Sequence, residues 1–223
     1  MSACSHGGMS PFATSFPGVA PILSTQLTTV IDATQTVRKV RLFLASPGDV
    51  QRERDSIVRV VTELNNTIGY NLELVVELVR WETHAYPELG RPQGVINSQI
   101  GDYDVFVGIM WKRFGTPTGQ ADSGTEEEFN LAYEEWKRDN RVKVLFYFSQ
   151  AKYTLNSVSE TEQAAKVLAF KEELKTKGLI WEYPNASEFP NKFRQHLTTI
   201  LFEKFKERYR MMPNLPLSFA MVR

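Results

Sequence analysis

Cysteine and histidine are almost missing from this chain. Of 223 residues, one is cysteine (Cys4) and three are histidine (His6, His84 and His196). A single thiol excludes an internal disulfide, and the dispersed histidines give no zinc-ligand spacing, so no metal site is expected. No Ser/His/Asp or Cys/His arrangement for nucleophilic catalysis can be drawn. Long hydrophobic runs are absent as well, none approaching the roughly 18 residues of a membrane span. Met1 to Ser10 lacks the basic and apolar regions of a signal peptide. A soluble cytoplasmic protein without membrane contact is the expectation. Charge of one sign is not in excess either. The 26 basic residues balance 26 acidic ones, leaving no global field to recruit nucleic acid directly. Neither glycine-rich nucleotide fingerprint occurs, and no Gly-Lys-Ser/Thr is present, which argues against an NTPase.

What is present suffices for one ample domain with appendages: 42% of residues are apolar and 12% aromatic, enough for a packed core. Residues 1–36 are rich in Ser, Thr, Gly, Ala and Pro and nearly uncharged, which reads as a flexible N-terminal arm. From Val37 to about Arg210, strand and helix patterns alternate. Val40 to Ala45 reads as a buried parallel strand. Ser46-Pro47-Gly48-Asp49 breaks it, with Asp49 placed to cap the next helix. That helix has a stripe of Ile57, Val61, Leu64 and Ile68 and closes at Gly69, while Arg52-Glu53-Arg54-Asp55 reads as a solvated face. Leu72 to Trp81, Asp104 to Met110, Val142 to Phe148 and Leu179 to Tyr183 are the remaining strands. Helices are expected near Gln93–Ile100, Thr125–Arg138, Glu160–Lys177 (ending at Gly178) and from Phe189 to about Arg210. Residues 211–223 form an apolar tail without a helical stripe, able to dock on the domain or lead toward a partner.

Five strands alternating with helices argue for an α/β, flavodoxin-like three-layer sandwich with a five-stranded parallel sheet in the order 2-1-3-4-5. In that order the topological switch point lies between strands one and three, and ligands bind outside the carboxyl ends of such strands. Its rim is formed by Ser46 to Asp49 and by Trp111 to Glu128.

Two readings of the acids at Glu126, Glu127 and Glu128 stay open. Thr125 with Glu128, or Ser123 with Glu126, fits a capping box, and acids in a first turn suit the helix dipole. Alternatively, one acid faces a ligand. Taking Phe129, Ala132 and Trp136 as the core face, Glu127 points away to solvent, while Glu126 and Glu128 flank that face on opposite sides. In the preceding loop, Lys112 and Arg113 can neutralise a phosphate and Trp111 can stack on a base. Equally, the loop can be solvated with its aromatics packed beneath it. Ser46 to Asp49 can offer backbone N–H groups to an anion.

Four blocks in order resemble a known family: Val40 through Asp55, Asp104 through Ile109, Arg113-Phe114-Gly115, and Ser123 through Phe129. Together they are similar to the uncharacterised TIR-like domain found at the front of STAND-type NTPases, itself related to TIR NAD hydrolases and nucleoside 2-deoxyribosyltransferases. Gly124-Thr125-Glu126-Glu127-Glu128 with Ala132 matches the deoxyribosyltransferase pattern G-T-x-x-E…A, whose Glu attacks the anomeric carbon. In TIR NAD hydrolases the essential acid lies on the helix after the third strand. Both correspondences fall on Glu128. The Trp-x-x-x-Glu arrangement of TIR enzymes is missing ahead of Glu128, so stacking of nicotinamide would need Trp111 or another ring.

The resemblance implies a TIR-like hydrolase that cleaves the N-glycosidic bond of NAD or a related nucleotide in a defence or signalling response. Glu128 would be catalytic. Ser46, Gly48, Asp49, Trp111, Arg113 and Thr125 would bind the substrate, with NAD as substrate and no cofactor or metal. Activation by self-association or by a separate sensor protein is implied too. Two alternatives remain: a non-catalytic TIR-like self-association domain, and a nucleoside 2-deoxyribosyltransferase-like enzyme.

Overall fold

A computed structural model describes residues 37–178 and 180–205. The expected arm (1–36), the tail (211–223), residues 206–210 and Leu179 lie outside the described residues.

The first strand, β1 (Arg38–Ala45), begins exposed and ends fully buried, as the central strand of a covered sheet should. It pairs in parallel with β2 (Leu74–Val79) on one side and β3 (Val105–Met110) on the other; β4 (Lys143–Ser149) and β5 (Trp181–Tyr183) complete the sheet. The order is β2-β1-β3-β4-β5, all parallel, so the chain has the α/β, flavodoxin-like architecture. Register is fixed in the middle by Leu42, opposite Leu78 and Val105. Asp104 pins the same point: its carboxylate accepts the Arg41 N–H at 2.9 Å and the Lys204 ammonium at 2.6 Å.

Because side chains alternate along a strand, the sheet carries two different cores. Leu42, Leu44, Val105, Val107 and Ile109 face one side, against α1 (Gln51–Leu64) and α7 (Phe189–Lys204). Phe43, Phe106, Met110, Phe146 and Phe148 face the other. That face is covered by α4 (Pro92–Ile100), α5 (Gly124–Asp139) and α6 (Val158–Lys177). It is an aromatic layer, in which Phe129 meets the rings of Phe146 and Phe170 edge-on at 5.7 and 5.5 Å. Gly108 makes room for it, since a Cβ there would lie 2.3 Å from the Phe146 ring.

Several local expectations are corrected. The first helix does not close at Gly69. It continues through a π-helical turn (Asn65–Gly69) and α2 (Tyr70–Leu72), and ends at Glu73 in the left-handed region, φ 50°. Strand β2 stops at Val79, and Trp81 opens a one-turn helix, α3 (Trp81–His84). Trp136 is not in the core; it is partly exposed and stacks on Tyr133 at 5.5 Å. Within Arg52 to Asp55, only the outer pair is solvated. Glu53 is buried and accepts the Tyr183 hydroxyl at 3.0 Å, and Arg54 is buried beside β1's end. The end of α6 at Gly178 is as expected. Among the described residues, no helix is long and apolar enough to cross a membrane.

Candidate functional site

The carboxyl ends of β1 and β3 lie side by side, with Ala45 opposite Gly108, and the chain leaves them in different directions. The opening this creates is walled by the turn after β1, the loop after β3, and the first turn of α5. Ser123 is the N-cap of α5: its Oγ accepts the Glu126 N–H at 3.1 Å, and the Glu126 carboxylate turns back to the Asp122 N–H at 2.7 Å. The helix is therefore capped by Ser123, with Glu126 reaching one residue further back than a closed capping box requires. Thr125 lies inside the first turn, so Glu128 caps nothing.

Glu128 is instead 5% exposed. Its Oε1 accepts a hydrogen bond from Gln93 Nε2 on α4 at 2.8 Å. Gly124 permits this approach, because a Cβ there would meet Gln93 Oε1 at 2.7 Å. Burial is the main force on the Glu128 carboxyl and pushes its pKa up to about 8. The bond from Gln93 opposes this, while the negative charges of Glu127 and Glu82 add to it.

Glu127 does not point to solvent as the helical wheel had it. It too is 5% exposed, gripped by the Arg91 guanidinium through two bonds of 2.8 and 2.7 Å and by Asn97 Nδ2 at 3.0 Å. The Thr118 hydroxyl donates to it as well. The wheel was centred partly on Trp136, which is not a core residue, and it took no account of α4 and the loop closing over the first turn. The hydrogen bonds from Arg91, foremost, hold Glu127 below the usual carboxylate range. Adjacent acids thus have their pKa values driven apart, a pattern that separates a proton-handling carboxyl from a permanently ionised one. Glu127 ties α4, the loop and α5 together.

Beside Glu128 opens a cavity of about 370 Å3 whose lining includes Ser46, Trp81, Gln93, Thr116 and Thr125. Its size suits a small ligand. On one side the buried Arg54 donates to Ser46 Oγ at 3.0 Å and pairs with Glu82. Of the residues expected in the site, Ser46, Thr125 and Glu128 are brought together here. Asp49 and Arg113 line a neighbouring cavity of about 520 Å3. Asp49 does not cap α1, whose N-cap is Val50 with no side-chain bond. Its Oδ2 accepts the N–H groups of Lys112 and Arg113 at 3.1 and 3.0 Å, tying the β1 turn to the β3 loop. Gly48 is exposed and lines neither cavity. Trp111 lines neither of these two cavities. Its Nε1 donates to the Ala151 carbonyl at 2.8 Å and its ring packs edge-on to Tyr153 at 5.7 Å.

Alongside the buried Phe114, the ring of Trp81, 45% exposed, does line the Glu128 cavity. Sequence reading placed it at the end of an apolar strand run, where nothing distinguished it. Gln93, Arg91 and Arg54 were missed as well; each makes a bond to an acid 28 or more positions away in the chain, beyond the reach of any local motif. No group of three or more His, Cys, Asp or Glu is arranged to hold a metal ion among the described residues.

No curated protein matches the chain. A family model described as a domain of unknown function, DUF4062, matches residues 41–198. That span covers well over half of the 223 residues, includes four strands whole, β1 from Arg41 onward and every residue lining both cavities, and establishes that the chain belongs to the DUF4062 family.

Proposed function

We propose that this protein is a TIR-like nucleotide hydrolase that cleaves the N-glycosidic bond of NAD or a related nucleotide, with Glu128 as its catalytic residue. One observation carries the reading: a carboxyl 5% exposed, free of any capping role, beside a ligand-sized cavity with its pKa near 8. Strongly perturbed acids in clefts are the usual mark of sites that handle protons or developing charge.

The chemistry follows from that environment. Breaking the glycosidic bond leaves positive charge on the sugar, and a carboxylate beside the anomeric carbon stabilises it or bonds to it. In NAD the leaving nicotinamide is already cationic, so the bonding electrons pass to its ring nitrogen and no proton donor is needed. A cation within about 4–6 Å lowers a carboxyl's pKa, so substrate binding would drive the proton from Glu128 and generate the carboxylate where it acts. Water then attacks the sugar cation and loses its proton to Glu128 or to solvent. Trp81, at the wall of the same cavity, offers a face on which the nicotinamide ring can stack.

A second reading, the non-catalytic self-association domain, is favoured by a different feature. The segment after β2 carries Trp81, Tyr86 and Leu89 exposed together, Leu89 completely. The two readings combine if association completes the site. A defence or signalling role, and activation by self-association or a separate sensor, rest on the resemblance to TIR-like domains. The test is NAD consumption by the purified chain at low and high protein concentration. Turnover that rises more than proportionally with concentration is expected. Self-association without turnover of NAD or of any nucleoside would favour the interaction domain, and turnover of deoxynucleosides alone the transferase.

A further inference from the structure

A third cavity, of about 330 Å3, opens beside the first half of β4. Its lining comes from both cores. Leu145 and Ile200 belong with the core under α1 and α7, and Phe146 and Leu174 with the aromatic core under α5 and α6. Neighbouring side chains of a strand point to opposite faces, so a cavity lined by both Leu145 and Phe146 wraps the edge of the sheet.

That edge is uncovered because β5 is short. It begins at Trp181, opposite Tyr147, and no described strand pairs with Lys143–Phe146 on that side. The Lys143 N–H donates to the Asp104 carbonyl at 2.9 Å, on the β3 side, and the Gln150 N–H to the Tyr183 carbonyl at 2.9 Å, on the β5 side. Backbone groups alternate between the two edges of a strand, so Val144 turns its N–H and C=O toward the β5 side. Val144 and Leu145 are only partly buried, whereas all of β3 is buried. An apolar strand edge in that condition is a template for pairing, and native proteins cover it.

The same chain passes close by. Ile200 and Glu203 of α7 line the cavity, the Lys204 ammonium is bonded to Asp104 at 2.6 Å, and Phe205 is buried. Residues 206–223 follow and lie outside the described residues. In their sequence, Leu217, Phe219 and Met221 alternate with Ser218 and Ala220, the two-residue period of a strand. Leu217 to Val222 carries no charge, and Pro216 stands where the first residue of a strand tolerates proline. Residues 206–216 can span up to about 36 Å, ample for a return to a cavity lined by α7's last turns. Tethered in this way, the segment meets the edge at an effective concentration on the order of millimolar.

We propose that Leu217–Val222 docks as an added strand along the β4 edge at Lys143–Phe146, with its apolar side chains filling the third cavity. The proposal is independent of the hydrolase reading.

The full chain and its Phe219→Asp variant are compared by hydrogen exchange, at a dilution where both sediment as monomers. In the parent, the amides of Val144 and of residues 217–222 should both be protected. Phe219→Asp should speed exchange at both places by about tenfold or more, because an unpaired charge is excluded from an apolar cavity. Unchanged exchange of the β3 amides establishes that the domain stays folded. Should β3 exchange faster as well, Phe219→Ala, the milder change, is read in its place. Free exchange of 217–222 in the parent, or protection there with Val144 unaltered by the variant, overturns the proposal. So does protection that appears only in a dimer, which would give the edge to the same segment of a second copy.

Discussion

Gln93 on α4 and Glu128 on α5, 35 positions apart, meet through a buried hydrogen bond of 2.8 Å. The hydrogen bond from Gln93, with a smaller contribution from the Arg54 charge, draws the Glu128 pKa down against the desolvation that raises it. If the carboxylate is the working form toward a cationic substrate, kcat/KM for NAD should rise with pH through a midpoint near 8. Gln93→Leu removes the opposing bond, so the midpoint should move to higher pH while the protein stays folded. A pH–rate profile on both proteins checks this. An unmoved midpoint would separate Gln93 from the titration of Glu128.

The same burial makes stability depend on pH. The folded protein keeps a proton on Glu128 that the unfolded chain gives up between the ordinary value of 4.5 and about 8. This contribution is present in full below 4.5 and is lost as pH rises through that window, at about 1.4 kcal/mol for each pH unit crossed. Glu128→Gln carries no proton to lose. Relative to the parent protein it should therefore become progressively more stable from about pH 5 to 9, gaining about 2–5 kcal/mol. Denaturant midpoints across that range measure the difference. Parallel curves for the two proteins would show that Glu128 ionises normally.

Glu127 behaves oppositely. Its pKa is lowered, chiefly by the bonds from Arg91, so its contribution is present at neutral pH and lost as acid protonates it below the ordinary carboxylate value. Glu127→Gln should destabilise the fold by about 1–3 kcal/mol, as loss of a charge-assisted acceptor does. Its thermal midpoint should approach the parent's in acid, where the parent has lost the same charge. Equal midpoints at neutral pH would mean that the clamp on α4 and the loop is not needed.

Trp81 should govern binding of the base more than the chemical step. Trp81→Ala is expected to raise KM for NAD by about tenfold, the scale of one lost base–aromatic stack, and Trp81→Phe to restore most of it. A fall in kcat of the same size, unrescued by Phe, would place Trp81 elsewhere in the mechanism.

The sheet order was legible because each strand is an apolar run and each helix carries a stripe; right-handed crossovers then leave little choice. Glu128 was legible as a candidate acid from its place after β3 and from the resemblance. Its protonation state was not, because that depends on Gln93 and on burial, neither of which leaves a local trace. Glu127 was misread because a wheel treats a helix as lying on one surface, whereas the first turn of α5 is enclosed by the sheet, α4 and the loop. That Trp81 lines the Glu128 cavity and Trp111 does not has a comparable reason. Two equally aromatic positions differ only in what the chain packs around them.

The most direct test of the account is NAD turnover by Glu128→Gln beside the parent protein, at a protein concentration where the parent is active. Glu134→Gln, on the exposed side of the same helix, serves as the control. The account predicts that Glu128→Gln folds, binds NAD and loses at least about two orders of magnitude in turnover, equivalent to about 3 kcal/mol of barrier, with the control near the parent. Turnover by Glu128→Gln within a few-fold of the parent would contradict it.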